Sequence, residues 1–158
     1  MSLSLDSVAF ADGRYRFALT LKLIVEIERN CGHMDRDGVL QPKSIYRIHD
    51  ELSGGLALDD DTPVYLGGGD ARASDIREVI RCGLIGGNSG VVAGVSIEVG
   101  PAKAGELCDS YLFPHRPLIE GQYLAWAILD ACIRGVTLKK KAESDEQETE
   151  ESRLSTEA

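Results

Sequence analysis

Positive charge is in short supply in this sequence. Its 17 Lys+Arg stand against 26 Asp+Glu, a net charge of -9, so no general attraction to a phosphate backbone is available and nonspecific nucleic-acid binding is excluded. Long apolar runs are also lacking. The longest, Tyr123 to Leu129, has seven residues, far short of the roughly 20 needed to span a bilayer. The first ten residues carry neither a basic start nor an apolar stretch of signal-peptide length, which predicts a protein that is not exported and remains cytoplasmic. Cys31, Cys82, Cys108 and Cys132 form no CxxC pair, so reduced, buried thiols are expected in place of a disulfide framework or zinc site.

What is present suits one globular domain. The 158 residues are 43% hydrophobic and 27% charged, enough for a single core spanning 1–138. Asp12-Gly13 in Val8–Phe17 supplies a type I′ turn signal and predicts a hairpin. With those two residues as the loop, Phe10 faces Tyr15 and Val8 faces Phe17, and the shared face needs a cover. Thr20 then caps a helix to about Asn30, with Leu21, Ile24, Val25 and Ile27 toward the core and Gly32 as its stop. A second helix has Pro42 in its first turn and ends at Gly54, with Ile45, Ile48 and Leu52 on its apolar stripe. The stretch 56–72, holding Asp59-Asp60-Asp61, Pro63 and Gly67-Gly68-Gly69, reads as a flexible excursion around a short strand Val64-Tyr65-Leu66.

Ser74 caps a third helix whose Ile76, Val79, Ile80, Gly83 and Leu84 fall at i, i+3, i+4, i+7 and i+8, and Gly86-Gly87 ends it. Val95, Ile97 and Val99 alternate with polar residues as a short strand would. Pro101 opens a fourth helix bearing Ala104, Leu107, Cys108, Tyr111 and Leu112, and Pro114 stops it. The last helix, Pro117 to Arg134, has a polar arc of only Glu120, Asp130 and Arg134. It is either the central element or partly an interface for another chain. Residues 139–158 carry Lys139-Lys140-Lys141 and then seven acids, the composition of a disordered charged tail. The expected fold class is α+β, mainly α: an N-terminal β-hairpin followed by four to five packed helices, with a disordered acidic C-terminal tail.

No chemistry-bearing constellation survives inspection. His33-Met34-Asp35-Arg36-Asp37-Gly38 imitates an EF-hand loop, but His33 at position 1 and Ser44 at position 12 are the wrong ligands, leaving a solvated turn. Gly67-Gly68-Gly69-Asp70 and Gly86-Gly87-Asn88-Ser89-Gly90 lack the spacing of a phosphate cradle and read as connections. Asp59, Asp60 and Asp61 cannot converge on one ion. His49 reads as a boundary core histidine and His115 as a loop residue. No serine sits in a GxSxG elbow and no cysteine has thiolate-promoting neighbours. No catalytic residue, cofactor or metal is expected, and the chain does not read as an enzyme.

The order of the parts resembles a phage family. Tyr15-Arg16-Phe17-Ala18-Leu19-Thr20 leads into a helix with Glu26 and Glu28 and then Gly32. Ser74 to Gly87, Pro101-Ala102-Lys103-Ala104, and the terminal helix through Ala127-Ile128-Leu129 to Gly135 follow. Over residues 8–136 this is similar to the tail assembly chaperones of siphovirus-like phages and gene transfer agents, a family also described as tail tube. The 56–71 excursion and the charged tail depart from that family's compact pattern.

The resemblance implies a non-enzymatic factor of the bacterial host cytoplasm that binds the tape-measure protein, keeps it soluble and helps recruit the tail-tube protein. Tyr123, Trp126, Leu129 and Ile133 on the last helix are the candidate partner-binding residues, because desolvated aromatic anchors dominate such contacts. The rival readings are a structural tail-tube or other virion tail component and a small self-associating adaptor, which leaves a homo-oligomer open.

Overall fold

The computed structural model describes residues 2–136, so the expectation for 139–158 lies outside the described residues. In chain order the elements are β1 (Leu5–Phe10), β2 (Gly13–Phe17), α1 (Leu21–Asn30), β3 (His33–Met34), β4 (Leu40–Gln41) and α2 (Ile45–Ser53). Then follow β5 (Leu56–Asp59), β6 (Thr62–Tyr65), α3 (Ala73–Gly87), β7 (Gly90–Val92), β8 (Val95–Ile97), α4 (Pro101–Tyr111) and α5 (Leu118–Arg134). The fold is α+β and mainly helical, and it opens on the expected hairpin. Among the described residues, no helix is long and apolar enough to cross a membrane.

The hairpin turns one step earlier than its Asp-Gly pair suggests. Ala11, at φ 55°, and Asp12 make the turn, Phe10 stands opposite Gly13, and Val8 opposite Tyr15. A two-residue change of register keeps every side chain on its own face. Phe10 accordingly still meets Tyr15 and Phe17, edge-on at 6.1 and 5.6 Å between ring centres. Gly13 serves the sheet instead of the turn, because a Cβ there would strike the Val91 carbonyl oxygen. That neighbour belongs to a second hairpin, β7–β8, which extends the sheet to the order β1-β2-β7-β8. Ala93 and Gly94, both at positive φ, turn it.

The sheet's cover is α3. Tyr15 and Phe17 are fully buried beneath it together with Val79, Ile80 and Leu84. Gly83 admits Ile128 of α5 and Phe17 at 3.1 and 3.3 Å from where its Cβ would lie. The helix runs through Gly86-Gly87 and ends at Asn88 in the left-handed conformation. These glycines are packing devices, not terminators: a Cβ on Gly86 would meet the Ala18 carbonyl oxygen, and one on Gly87 that of Arg16. The helix begins at Ala73 with no side-chain cap, so Ser74 lies inside it.

Two other helices turn differently from their patterns. In α1, capped by Thr20 as expected, the buried pair is Leu23 and Ile27, whereas Leu21 is 78% and Val25 45% exposed. The true stripe is i, i+4 along Leu23–Ile27 with Ile24 beside it; the broader expected stripe counted two residues on the solvent side. In α2 the cap is Ser44, whose hydroxyl accepts from the Arg47 amide, and Pro42 lies before the helix. Its predicted stripe, Ile45, Ile48 and Leu52, is buried.

The stretch 56–72 contains a second small sheet, β5–β6. Asp60 and Asp61 turn it at φ 47° and 64°, a pairing of positive angles that short-chain Asp tolerates better than bulkier residues. α5 is the hub. It packs on α3, α2 and β6 and buries Gly121, Gln122, Ala125, Ile128, Leu129 and Ala131. Gln122 donates to the Leu52 and Gly54 carbonyls at 2.8 and 3.1 Å, tying the end of α2 to the hub.

Candidate functional site

The four candidate residues on α5 separate into two roles. Leu129 is fully buried and belongs to the core, which corrects its assignment to a contact surface: at 100° per residue it sits on the side facing α3. Tyr123, Trp126 and Ile133 are half-buried on the outer flank. There the Trp126 indole stacks with His49 of α2, at 5.9 Å and 29°, and with Tyr123, at 6.0 Å and 22°. Asp130, one turn on, lies in hydrogen-bond contact with His49 Nε2 at 3.0 Å and accepts from Arg134 Nε at 3.1 Å. Two members of the polar arc of α5, Asp130 and Arg134, thus hold His49 in place beside the aromatic row.

From Tyr123 the row opens into a groove of about 450 Å³. Its walls come from the β1–β2 hairpin (Phe10), β6 (Pro63), the end of α4 (Tyr111, Leu112) and α5 (Tyr123, Leu124), with His115, Arg116 and Glu120 at the rim. An apolar floor with a few polar groups at the edge is the usual make-up of a pocket for an apolar anchor of a ligand or partner. The groove exists because β5–β6 and the N-terminal hairpin converge on the start of α5, a juxtaposition of segments far apart in sequence.

Two smaller hollows, of about 260 and 270 Å³, flank Leu118 at the beginning of α5. Phe113, Leu118 and Tyr65 around them are 63%, 52% and 57% exposed. Sequence periodicity missed these residues because they stand at element ends, where no stripe predicts exposure. The available signal was large apolar residues beside the prolines Pro114 and Pro117.

The titratable clusters elsewhere are internally satisfied. Lys43 and Asp75 are buried, with Lys43 Nζ donating to Asp75 at 3.0 Å and Glu51 at 2.7 Å. Arg72 adds a bond to Asp75 at 3.0 Å and donates to the Cys31 and Gly32 carbonyls. This network joins the end of α1 to the starts of α2 and α3. A second group gathers Glu26, Glu78 and Cys82 within ligating reach of one another. Arg81 occupies it, 3.1 Å from Glu26 and 2.7 Å from Glu78. Burial would raise the Glu78 carboxyl, but hydrogen bonds from Arg81, Asn30 and Cys82 hold it below its ordinary range. Burial and the Glu78 charge push the Cys82 thiol up, so this donor set favours an arginine over a metal ion.

The EF-hand-like stretch forms the β3–β4 hairpin. Asp35 Oδ1 accepts from the Asp37 and Val39 amides at 2.9 Å each, and Oδ2 from Gln41 at 3.0 Å. These bonds hold its carboxyl below the ordinary range, and its lone pairs are engaged in the turn. Gly67 and Gly68 sit at positive φ in open space, in keeping with a connection. Cys31 is pushed up to about 12, chiefly by burial with Asp75 next, and Cys108 and Cys132 to about 11 by burial.

No family model, curated protein or solved structure matches the chain.

Proposed function

We propose that this protein is a phage tail assembly chaperone: a non-enzymatic factor of the bacterial host cytoplasm that binds the tape-measure protein, keeps it soluble and helps recruit tail-tube subunits. The observation that carries the reading beyond the ordered sequence resemblance is the apolar groove beneath Tyr123, continuous with the stacked Tyr123–Trp126–His49 row. A chaperone for a long, apolar partner needs a pre-formed surface that takes side-chain anchors without demanding one sequence. Aromatic walls with a sparse polar rim meet that need. Ile133 extends the contact surface two further turns along α5 from Trp126, and Leu129 supports it from within the core.

The test is co-expression with the candidate tape-measure protein, measuring how much of it stays soluble and co-purifies. Wild type should retain the partner in the soluble fraction, and Trp126→Ser or Tyr123→Ser with an unchanged circular dichroism spectrum should lose most of it. Unaltered co-purification by both folded variants sinks the assignment of the surface. Recovery of the chain as a stoichiometric component of purified particles, with no effect on partner solubility, replaces the chaperone by a structural tail component.

A further inference from the structure

We infer that the outer face of α1 is a docking site for the chain's own acidic C-terminal segment, residues 142–158. Leu21, at 78%, is the most exposed large apolar side chain among the described residues, and Val25, one turn on, is 45% exposed. Lys22 and Arg29 are exposed on the same helix. At 100° per residue, Leu21, Val25, Arg29 and Lys22 fall within one arc of about 100°. A hollow of about 580 Å³ runs along that arc from Leu21 to Asn30. The carboxylate beside it, Glu26, is turned to Arg81 at 3.1 Å, so the arc itself presents two cations and two apolar side chains.

Cations without a counter-charge set this face apart. Among the described residues, Arg14, Lys22, Arg29, Arg36 and Lys103 form no ion pair, and α1 is the one element that carries two of them. Such a stripe calls for an acidic segment with an apolar anchor, and the chain contains one. Residues 142–158 hold seven acids against Arg153, with Leu154 their only large apolar side chain. Glu148, Glu150 and Glu151 lie shortly before Leu154, so these acids can meet Lys22 and Arg29 while Leu154 meets Leu21 and Val25. The fold as a whole is acidic, which discourages an independent acidic partner from approaching. A tethered segment is held near the fold regardless and settles where the potential is least negative. With a screening length of about 8 Å at physiological ionic strength, the local stripe outweighs carboxylates on other faces. The described chain ends at Val136, fixed to Ser2 by main-chain hydrogen bonds of 3.0 and 2.6 Å. From there to Leu154 the extended chain reaches about 60 Å, against a diameter of about 36 Å for a fold of this length. Tethering gives an effective concentration of about millimolar, which offsets the small worth of each exposed ion pair.

Zero-length carbodiimide cross-linking of the full chain tests this, because it joins an amine to a carboxylate only where the two touch. An equal mixture of isotopically light and heavy chains separates links within a chain from links between chains. The expected product joins Lys22 to Glu148, Glu150 or Glu151 of the same chain. Lys103, partly exposed on α4 and likewise without an ion pair, is the reference, and its links to the same acids should be about tenfold rarer, since it lacks a second cation and an apolar stripe beside it. Arg29→Glu, which turns one attraction into a repulsion at an exposed position, should cut the Lys22 yield about fivefold. Leu154→Ser, outside the described fold, should lower it severalfold, as should about 0.5 M salt, where the screening length shrinks to about 4 Å. Absence of the Lys22 link overturns the proposal, as does a yield no higher than that of Lys103 or a link formed only between chains. A Lys22 link indifferent to both salt and Arg29→Glu overturns it too. None of these readouts involves a partner, so the chaperone reading stands or falls separately.

Discussion

Gly86→Ala should destabilise the protein even though the same exchange stabilises most helices. In a helix interior, alanine is favoured over glycine by about 1 kcal/mol, through the smaller loss of backbone entropy. In α3 the added methyl would be driven into the Ala18 carbonyl oxygen, with Leu23 Cδ1 only 3.0 Å away. Ala18 cannot simply withdraw, because its amide donates to the Gly83 carbonyl at 3.0 Å and the strand before it carries Tyr15 and Phe17 into the core. Overpacking costs about 1–3 kcal/mol even where side chains can adjust, and here main chain must move, so a net loss of about 2 kcal/mol is expected. Gly105→Ala in α4 is the internal reference. Its nearest neighbour, Arg77 Nη2, is 3.8 Å from the added Cβ, so the propensity gain should appear undiminished. At about 3 °C per kcal/mol for a chain of this length, thermal unfolding should show Gly86→Ala about 6 °C below wild type and Gly105→Ala about 3 °C above it. If Gly86→Ala unfolds at or above the wild-type temperature, the close approach of α3 to the end of β2 is wrong.

Removing Asp75 from the buried Lys43 network should cost about 3 kcal/mol in denaturant unfolding, since a buried ammonium loses one of its two carboxylates; an Asp75→Ala variant within about 0.5 kcal/mol of wild type would show the site to be hydrated. Replacing Asp60-Asp61 by Asn-Gly should raise the melting temperature by about 2 °C, because those residues suit positive φ at both turn positions; an unchanged or lower temperature would count against the observed turn. The buried thiols give a pH dependence of definite sign. Cys108 and Cys132 are raised from 9.0 to about 11 and Cys31 to about 12, so the folded state holds more protons than the unfolded chain above about pH 9. Stability should therefore fall as pH rises from about 9 toward 12, and a flat denaturation midpoint across that window would refute the burial of these groups.

The hairpin, the buried stripe of α3 and the start of α4 at Pro101 were legible because each is written locally: alternation, a 3.6-residue period, or a proline that fits only one place. The failures were of another kind. Leu21 and Val25 are as apolar as Leu23 and Ile27, and only the partner helix decides which pair it covers. Gly86-Gly87 has the local form of a helix stop, and its reason lies far back along the chain in the carbonyls of Arg16 and Ala18. β7 escaped notice because Gly90-Val91-Val92 is too short to alternate, and it becomes a strand through pairing with Arg14 and Tyr15.

The same division explains why the surface was only half readable. α5 has so little polar circumference that its sequence fits both a central helix and an interface; the structure places it at the centre and leaves Tyr123, Trp126 and Ile133 half-buried on one flank. Its inner side, with Leu129 and Ile128, packs against the α3 that covers the sheet. On its outer flank Trp126 stacks with Tyr123 and with a histidine that Asp130 fixes. An aromatic ordered in this way gives up little side-chain entropy when a partner covers it, which is where much of the cost of binding arises. The polar residues of α5 therefore bear on function indirectly, since Asp130→Ala should free the His49 ring and loosen Trp126. Trp126 fluorescence anisotropy would then fall in the variant while far-ultraviolet circular dichroism stays the same. An anisotropy equal to that of wild type would mean that packing alone orders the indole, and the pre-ordering assigned to the Asp130–His49 pair would have to be abandoned.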